Sequence, residues 1–469
     1  MKLKQSKLTL AIALSLTGLS QAAWAEDLAK PQTMEEMWKI IQAQQQQIDS
    51  MTKKLESVAQ TAPQTGVTTL ERKTNVLTEE VEKLRTQLVV PETVEYKSAY
   101  GLGPAASKVY QVGKGLSIGG YGEANYQARV NDQGGRNDDG TVKNPNNSDF
   151  ERLVIYAGYK FSDNILFNSE IEFEHGAAGI EAGGEVAVEF AALDFFINKM
   201  ANVRAGMLLM PMGFVNQIHE PPFFFGNNRP EVERRIIPST WHENGVGLFG
   251  ELMPGLTYTT YVVNGMNAKN FDSKGIRSGR QGGAEAMAED LAYVGRLDYS
   301  PTQLPGVTVG GSAYLGKSGQ NQLFNGQKAD VMTELYEAHL QWKYHGWEFR
   351  TLGSFGHIGN SEILSAANGK PIGSENYGWY SEVGYDILPL ILPETSHYLA
   401  PFFRYEKLDT MAKVNAGVTD DLSKDLEIYQ LGLNYKPIPN VVIKADYRNF
   451  KQKAGIAPDD FNLGVGFIF

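Results

Sequence analysis

The feature that most constrains this chain is an alternation of apolar and polar side chains that starts near residue 116 and continues to the last residue. The closing segment, FNLGVGFIF, has large apolar side chains at every second position: Phe461, Leu463, Val465, Phe467 and Phe469. Successive side chains of a β-strand point to opposite faces, so these five share one face. The pattern predicts β-structure throughout residues 116–469.

The alternation recurs along the chain, as in RLVIYAGYKF (152–161), MTELYEAHLQWKY (332–344) and NVVIKADYRNF (440–450). Stretches of about ten residues match the length of a membrane-spanning β-strand. Short turns alternate with long polar loops, and the count of strands comes to about sixteen. Within EVAVEFAALDFFIN (185–198) the parity changes near Ala192, which predicts a β-bulge.

An open sheet edge in lipid would leave backbone polar groups unsatisfied, so strands of this kind must close on themselves. We therefore predict an all-β fold, a ~16-stranded antiparallel transmembrane β-barrel over residues 116–469. No apolar run of 18 or more residues lies beyond the leader, so a helical membrane span is not expected. The net charge of −11 argues against nucleic acid as a partner, and the absence of cysteine excludes thiol chemistry.

The first 25 residues have the pattern of a secretory signal peptide, with Lys2, Lys4 and Lys7 before an apolar stretch and Ala23 and Ala25 at the cleavage position. Over residues 26–62 a heptad seam predicts a coiled coil, with Gln44 as a polar core position. The alternative is a single amphipathic helix that lies on a larger domain. Residues 63–115 read as a second short helix and a linker. An even number of strands places both barrel ends, and hence the coiled coil, in the periplasm.

The loop 211–244 contains several prolines and the cluster Phe223, Phe224 and Phe225, which indicates a compact structure. We expect it to fold inward and narrow the channel, because a barrel of this size encloses water. Its candidate constriction residues are His219, Arg229, Glu231, Glu233, Arg234 and Arg235.

Strand parity assigns many charges to the barrel interior. At mid-membrane, an arginine or lysine facing lipid would cost about 2–4 kcal/mol, so these side chains should face the lumen. The lumen-facing candidates are Arg129, Arg152, Arg204, Arg296, Arg350, Arg404, Lys444 and Arg448, with Glu170, Glu172 and Glu174. Rings of basic residues favour anions, whereas mixed walls produce a transverse field across a general pore.

With its export signal, its coiled coil and the segment FERLVIYAGYKFSDNILFNSEIEFEHG (150–176), the chain resembles bacterial outer-membrane porins of the phosphate-selective O and P group, and most closely their DcaP-like branch. The resemblance implies a homotrimer in the outer membrane that passes small organic anions such as dicarboxylates or phosphate. It is also compatible with contacts between the coiled coil and peptidoglycan or periplasmic proteins.

Three other classes of protein are less consistent with the sequence. An outer-membrane enzyme needs converging catalytic groups, but the seven histidines are scattered, so we expect no catalytic residues, no metal site and no cofactor. A sugar-specific porin would line its lumen with aromatics, whereas most aromatics here have outward parity, and Tyr121 and Tyr156 are among the few with inward parity. A purely structural barrel that tethers the envelope is the third alternative.

Overall fold

The computed structural model describes residues 96–130, 137, 142–176 and 184–469. The predicted signal peptide, the predicted coiled coil and most of the predicted linker lie outside these residues. Within them, sixteen antiparallel strands form one closed barrel, with a separate two-stranded hairpin (β10 and β11). The strands are β1 (Gly115–Arg129), β2 (Asn147–Ser162), β3 (Ile165–Glu174), β4 (Val186–Phe196), β5 (Asn202–Leu209), β6 (His242–Met253), β7 (Leu256–Asn264), β8 (Leu291–Tyr299), β9 (Val307–Lys317), β10 (Leu323–Phe324), β11 (Gln327–Lys328), β12 (Met332–Tyr344), β13 (Trp347–Ile358), β14 (Glu375–Tyr385), β15 (Tyr398–Lys413), β16 (Asp425–Ile438), β17 (Val441–Gln452) and β18 (Asp460–Ile468).

Helices are few and short in the described part of the chain. The α-helices are α1 (Val232–Arg235), α2 (Ser361–Asn368) and α3 (Leu388–Ile391). The 3₁₀ helices are Ala106–Tyr110, Pro221–Phe223, Ala268–Asn270, Arg277–Gly279 and Leu422–Lys424. Among the described residues, no helix combines the length and apolarity needed to cross a bilayer.

The last strand closes the barrel by pairing with the first. In the ladder between β1 and β18, Tyr121 lies opposite Ile468 and Arg129 lies opposite Asp460. The ladder extends one residue further, because Gly120 and Phe469 exchange two backbone hydrogen bonds of 3.0 and 2.9 Å. The prediction of a closed antiparallel β-barrel is therefore confirmed.

The two faces of the barrel differ in polarity as the alternation predicts. On β18, Leu463 and Val465 are 45% and 42% exposed on the outer face, whereas Asn462 and Ile468 are buried inside. Each inward polar group needs a partner once it is buried. Asn462 accordingly donates hydrogen bonds to Asp446 on β17 and to Asp460 on its own strand.

The bulge in β4 lies at Glu189 and not near Ala192. Glu170 on β3 pairs with Phe190, but the next residue, Ile171, pairs with Val188, so Glu189 has no cross-strand partner. A bulge places two consecutive side chains on nearly the same side. Glu189 and Phe190 are therefore both buried inside the barrel, which simple alternation from Val186 would not predict for both.

Connections at the two ends of the barrel differ in length. The turns at one end include residues 163–164, 254–255, 345–346 and 439–440, and the connections at the other end include residues 265–290, 318–331 and 359–374. The longest connection runs from residue 210 to residue 241, between β5 and β6, and is called the inner segment here. Because β6 begins at His242, the last three residues of the predicted loop 211–244 belong to a strand.

Residues 96–114, before β1, lie against the inner face of the barrel. Leu102, Ala105 and Ala106 are buried in one cluster with Tyr121 and Val154 of the first two strands. Backbone polar groups in such a segment require partners. Asn168 of β3 donates a 2.9 Å hydrogen bond to the Ala106 carbonyl oxygen.

Candidate functional site: the barrel interior

Four basic side chains of the barrel wall hold the inner segment in place. Each comes from a different strand and donates a hydrogen bond to a backbone carbonyl oxygen of the inner segment. The pairs are Arg296 with Gly213 (2.6 Å), Arg350 with Phe223 (2.6 Å), Arg404 with Phe225 (2.8 Å) and Lys444 with Gly226 (2.8 Å). These predicted lumen-facing cations therefore dock the inner segment.

Wall carboxylates complete the docking by accepting from backbone N–H groups of the inner segment. Glu406 accepts from Val232 at 3.0 Å, and Asp446 accepts from Asn227 at 2.8 Å. Hydrogen bonds to charged groups are stronger than neutral ones, at about 1.5–3 kcal/mol each. Donors and acceptors on the wall thus fix both the position and the direction of the inner segment.

The phenylalanine cluster packs against this wall. The Phe225 ring stacks on Phe402 at 5.0 Å, and the Lys444 ammonium lies 3.6 Å from the centroid of the Phe224 ring. Both phenylalanine side chains are buried. They anchor the inner segment and do not provide an open aromatic path.

Glu231 is the centre of the charged cluster on the inner segment. It contacts Arg234 at 2.8 Å, Arg235 at 2.6 Å and Arg448 of β17 at 3.4 Å. Burial alone would raise the pKa of Glu231, but the three guanidinium groups outweigh burial and hold that pKa well below its usual range. Two of the three predicted constriction arginines, Arg234 and Arg235, therefore share one carboxylate.

Glu233 lies on the other side of α1 and is buried. It accepts hydrogen bonds from the Tyr380 hydroxyl at 2.6 Å and from the Val215 backbone N–H at 2.7 Å. Burial raises the pKa of Glu233 in spite of both hydrogen bonds. This predicted constriction residue attaches the inner segment to β14.

Three arginines carry charge with no ion pair among the described residues. Arg229 has a buried Nη2 with no hydrogen-bond partner in the described part of the chain. Arg277 and Arg280, from the β7–β8 connection, donate to the carbonyl oxygen of Ser239 at 3.1 and 2.6 Å. Burial, together with the charges of Arg280 and Arg234, lowers the pKa of Arg277. These groups concentrate positive charge near the end of the inner segment.

The remaining predicted lumen-facing arginines are paired with carboxylates. The pairs are Arg129 with Asp460 (2.9 Å), Arg152 with Glu123 (2.8 Å) and Glu172 (3.0 Å), Arg204 with Asp194 (2.7 Å), and Arg448 with Asp460 (2.7 Å). Paired charges of this kind contribute little net charge to a passing solute.

A cavity of about 690 Å³ lies at the long-loop end of the barrel. Carboxylates of β3, β4 and the preceding loop line it, as do two arginines of the β7–β8 connection; these are Glu172, Glu174, Glu185, Glu189, Arg277 and Arg280. Opposite charges on the lining of one cavity create an electric field across it. Glu170 lies deeper, where its Oε1 is 3.0 Å from Nε2 of His219 on the inner segment.

A second cavity of about 940 Å³ lies at the short-turn end. Its lining includes Asn164 and Ser300, which lie in short connections between strands, and Phe214 and Gln217 of the inner segment. Tyr100, Phe196 and Phe249 add an aromatic surface, with ring centroids 5.3–5.9 Å apart. Thr240 of the inner segment lines the cavity at the long-loop end, which is called the outer cavity. The inner segment therefore borders both cavities.

Sequence reasoning missed several of these residues for identifiable reasons. Glu189 lies at the bulge, where the parity changes, and Arg277 and Arg280 lie on a loop to which parity does not apply. Tyr100 precedes the first strand and lies in the predicted linker. A signal for Glu189 was available, because alternation from Val186 and Val188 gives it inward parity, which is favourable for an acidic residue in a membrane strand.

These features define a closed sixteen-stranded barrel of the porin fold, with an inward-folded segment after the fifth strand. The barrel is similar to that of OmpF of Salmonella typhi, solved in complex with daunomycin, with a TM-score of 0.52 and 12% identity over 76% of this chain and 98% of that one. The outer membrane channel DcaP of Acinetobacter baumannii has a TM-score of 0.48 and 15% identity over 76% and 97%.

No family model matches the chain. An uncharacterized protein of Aquifex aeolicus (strain VF5) is 39% identical over 408 residues, which are 82% of this chain and 87% of that protein. The chain belongs to the same family as that protein.

Proposed function

We propose that the protein is an outer-membrane porin, a passive diffusion channel for small hydrophilic solutes. The observation that supports this best is the pair of cavities, of about 940 and 690 Å³, at opposite ends of one barrel. The inner segment borders both, as expected of a constriction between two vestibules.

The outer surface supports a membrane location. Large apolar side chains are exposed around the barrel, among them Leu116 (66%), Leu431 (63%) and Val246 (50%). Exposure to water costs about 25 cal/mol per Å² of apolar surface, whereas lipid removes that cost. By analogy with other transmembrane barrels, the short turns then face the periplasm and the long loops face outward.

We further propose that the passing solutes are small organic anions such as dicarboxylates or phosphate. Arg229, Arg277 and Arg280 support this, because their charges are not neutralised by an ion pair among the described residues. Guanidinium groups bind carboxylate and phosphate oxygens through paired hydrogen bonds. The acidic side of the outer cavity would orient such solutes towards the arginines.

The test is single-channel recording of the purified protein in planar bilayers, with the anion-to-cation permeability ratio as readout. Arg229→Gln and the double variant R277Q/R280Q should each lower this ratio by about twofold or more, because they remove unpaired charge. The matched variant R234Q/R235Q should lower it less, because Glu231 already shares its charge with both arginines.

Three outcomes distinguish the functional classes. Absence of conductance would support a structural barrel and contradict the channel. Conductance with an unchanged permeability ratio in Arg229→Gln and R277Q/R280Q would retain the channel and contradict organic anions. Block by succinate or phosphate in the unmodified protein would support anion passage.

A sugar-specific channel is the second candidate, and the aromatic surface of the cavity at the short-turn end favours it. Tyr100, Phe196 and Phe249 present rings to the cavity at the short-turn end. Sugar rings pack against aromatic faces, so maltose should block the current if this candidate holds. Phe249→Ala should then weaken the block by maltose but not the block by succinate.

We also propose that the chain is exported, loses residues 1–25 and assembles as a homotrimer through the coiled coil over residues 26–62. The heptad seam and its polar position Gln44 support self-association. The coiled coil would also offer a surface to peptidoglycan or periplasmic proteins. Light scattering of the detergent-solubilised protein, with and without residues 26–62, tests the assembly.

A further inference from the structure

Three buried side chains from three separate segments converge inside the barrel. Glu170 comes from β3, Glu189 from the bulge in β4, and His219 from the inner segment. Their ligand atoms all lie within 4.8 Å of one another. Nε2 of His219 is 3.0 Å from Oε1 of Glu170 and 3.7 Å from Oε2 of Glu189. Two ligands of one transition-metal ion lie about 3–4 Å apart, since each metal–ligand bond is about 2.1 Å.

The histidine is oriented so that a single nitrogen faces both carboxylates. Its Nδ1 lies 3.3 Å from the Asn216 carbonyl oxygen, which can only accept a hydrogen bond. Nδ1 therefore carries a hydrogen, and Nε2 is the nitrogen directed towards Glu170 and Glu189. Metal-binding histidines are commonly oriented by such a backbone carbonyl.

One oxygen of each buried carboxyl group lacks a hydrogen-bond partner. Glu170 is 0% exposed and Glu189 is 4% exposed, and Oε2 of each has no hydrogen-bond partner among the described residues. Glu189 also shares a hydrogen bond with Glu172 and is attracted by the charge of Arg229, whereas Arg152 contacts Glu123 and Glu172. Neither Glu170 nor Glu189 forms an ion pair with a lysine or an arginine among the described residues, and a bound cation would neutralise both.

We propose that Glu170, Glu189 and His219 form a binding site for a divalent transition-metal ion. Imidazole nitrogen combined with carboxylate oxygen suits Zn²⁺ or Mn²⁺ better than Ca²⁺, which prefers oxygen ligands alone. Glu189 also lines the outer cavity, so an ion can reach the site from the long-loop end. A metal ion here would link the inner segment to β3 and β4.

A second buried histidine provides the matched control. His339 is also flanked by two carboxylates, but its Nδ1 contacts Glu337 at 2.9 Å and its Nε2 contacts Asp298 at 2.8 Å. The two nitrogens therefore serve opposite carboxylates, and Arg296 supplies a further positive charge 2.6 Å from Asp298. No single nitrogen of His339 therefore faces two carboxylates, and Nε2 also lies 3.1 Å from Nη2 of Arg296, a cation that opposes metal binding.

The test is calorimetric titration of the full-length, detergent-solubilised protein with Zn²⁺ and, separately, with Ca²⁺. We expect one Zn²⁺ site per chain, weakened at least about tenfold by Glu189→Gln and by His219→Gln, and unchanged by His339→Gln. Anomalous diffraction near the zinc edge should place the ion among the three side chains.

Several results would overturn the proposal. No saturable Zn²⁺ binding, or binding retained in both Glu189→Gln and His219→Gln, contradicts the site. Equal affinity for Ca²⁺ contradicts the role of the imidazole. If His219→Gln fails to fold, Glu189→Gln and the anomalous signal still test the metal site. Glu189→Gln is expected to fold, because glutamine keeps the size of the side chain at the bulge.

Discussion

Glu220 is a buried carboxyl group that joins the inner segment to the residues before β1. It accepts hydrogen bonds from the backbone N–H groups of Ala105 at 2.9 Å and Ala106 at 3.2 Å. Burial raises the pKa of Glu220 to about 8, although both hydrogen bonds oppose the shift. The docked state therefore binds a proton that the undocked state releases above its ordinary pKa, 4.5.

This raised pKa predicts pH-dependent docking of residues 96–114. The stabilisation is complete below the ordinary pKa and is lost as pH rises through about 8. Between about pH 6 and about pH 9, the undocking equilibrium should rise by a factor of roughly 10 to 100. Hydrogen exchange of the Ala105 and Ala106 amides, corrected for intrinsic rates, measures it.

Glu220→Gln is the control for this prediction, because glutamine keeps the acceptor oxygen and does not titrate. Its protection at Ala105 and Ala106 should be the same at both pH values. An equal loss of protection in Glu220→Gln and in the unmodified protein would show that another group controls the docking.

The inner segment is the element that shapes the interior of the barrel. Among the four basic wall side chains that bind it, Arg404 is the most buried. Arg404 is 0% exposed and donates to the Phe225 carbonyl oxygen and to Glu382. Arg404→Met should destabilise the docked segment by about 3 kcal/mol, because it leaves the carbonyl and part of the carboxylate charge buried without a partner. Trypsin should then cleave after Arg234 or Arg235 faster than in the unmodified protein.

Lys407→Met is the matched control on the same strand, three residues away. Lys407 contacts Asp425 and Glu427 on the neighbouring strand and makes no contact with the inner segment among the described residues. Its loss should leave the cleavage rate in the inner segment unchanged. Equal cleavage in both variants would mean that general barrel stability, and not the anchor, protects the segment.

At the scale of the whole molecule, the sequence predicts the barrel well. The outer face of the barrel follows from one repeated feature, the alternation of side chains between the two faces of each strand. Alternation in β18 identifies the faces of Leu463 and Asn462 without any knowledge of the fold. The interior is harder, because the partners of Arg350 and Arg404 lie 127 and 179 residues away in the chain. A bulge such as that at Glu189 is visible in the sequence as a change of parity, but the change locates it only to within a few residues.

The barrel is expected to fold only when β18 is present to close it. Deletion of residues 460–469 would leave the edges of both β1 and β17 without a partner, and unsatisfied backbone groups in lipid cost several kcal/mol each. In gel electrophoresis a folded barrel migrates differently from the same chain unfolded by boiling. We expect the deletion variant to show no such folded band. The exchange variant F461L/L463F keeps the ladder and the apolar face and should retain that band. A folded band in the deletion variant would show that the barrel can close without its last strand.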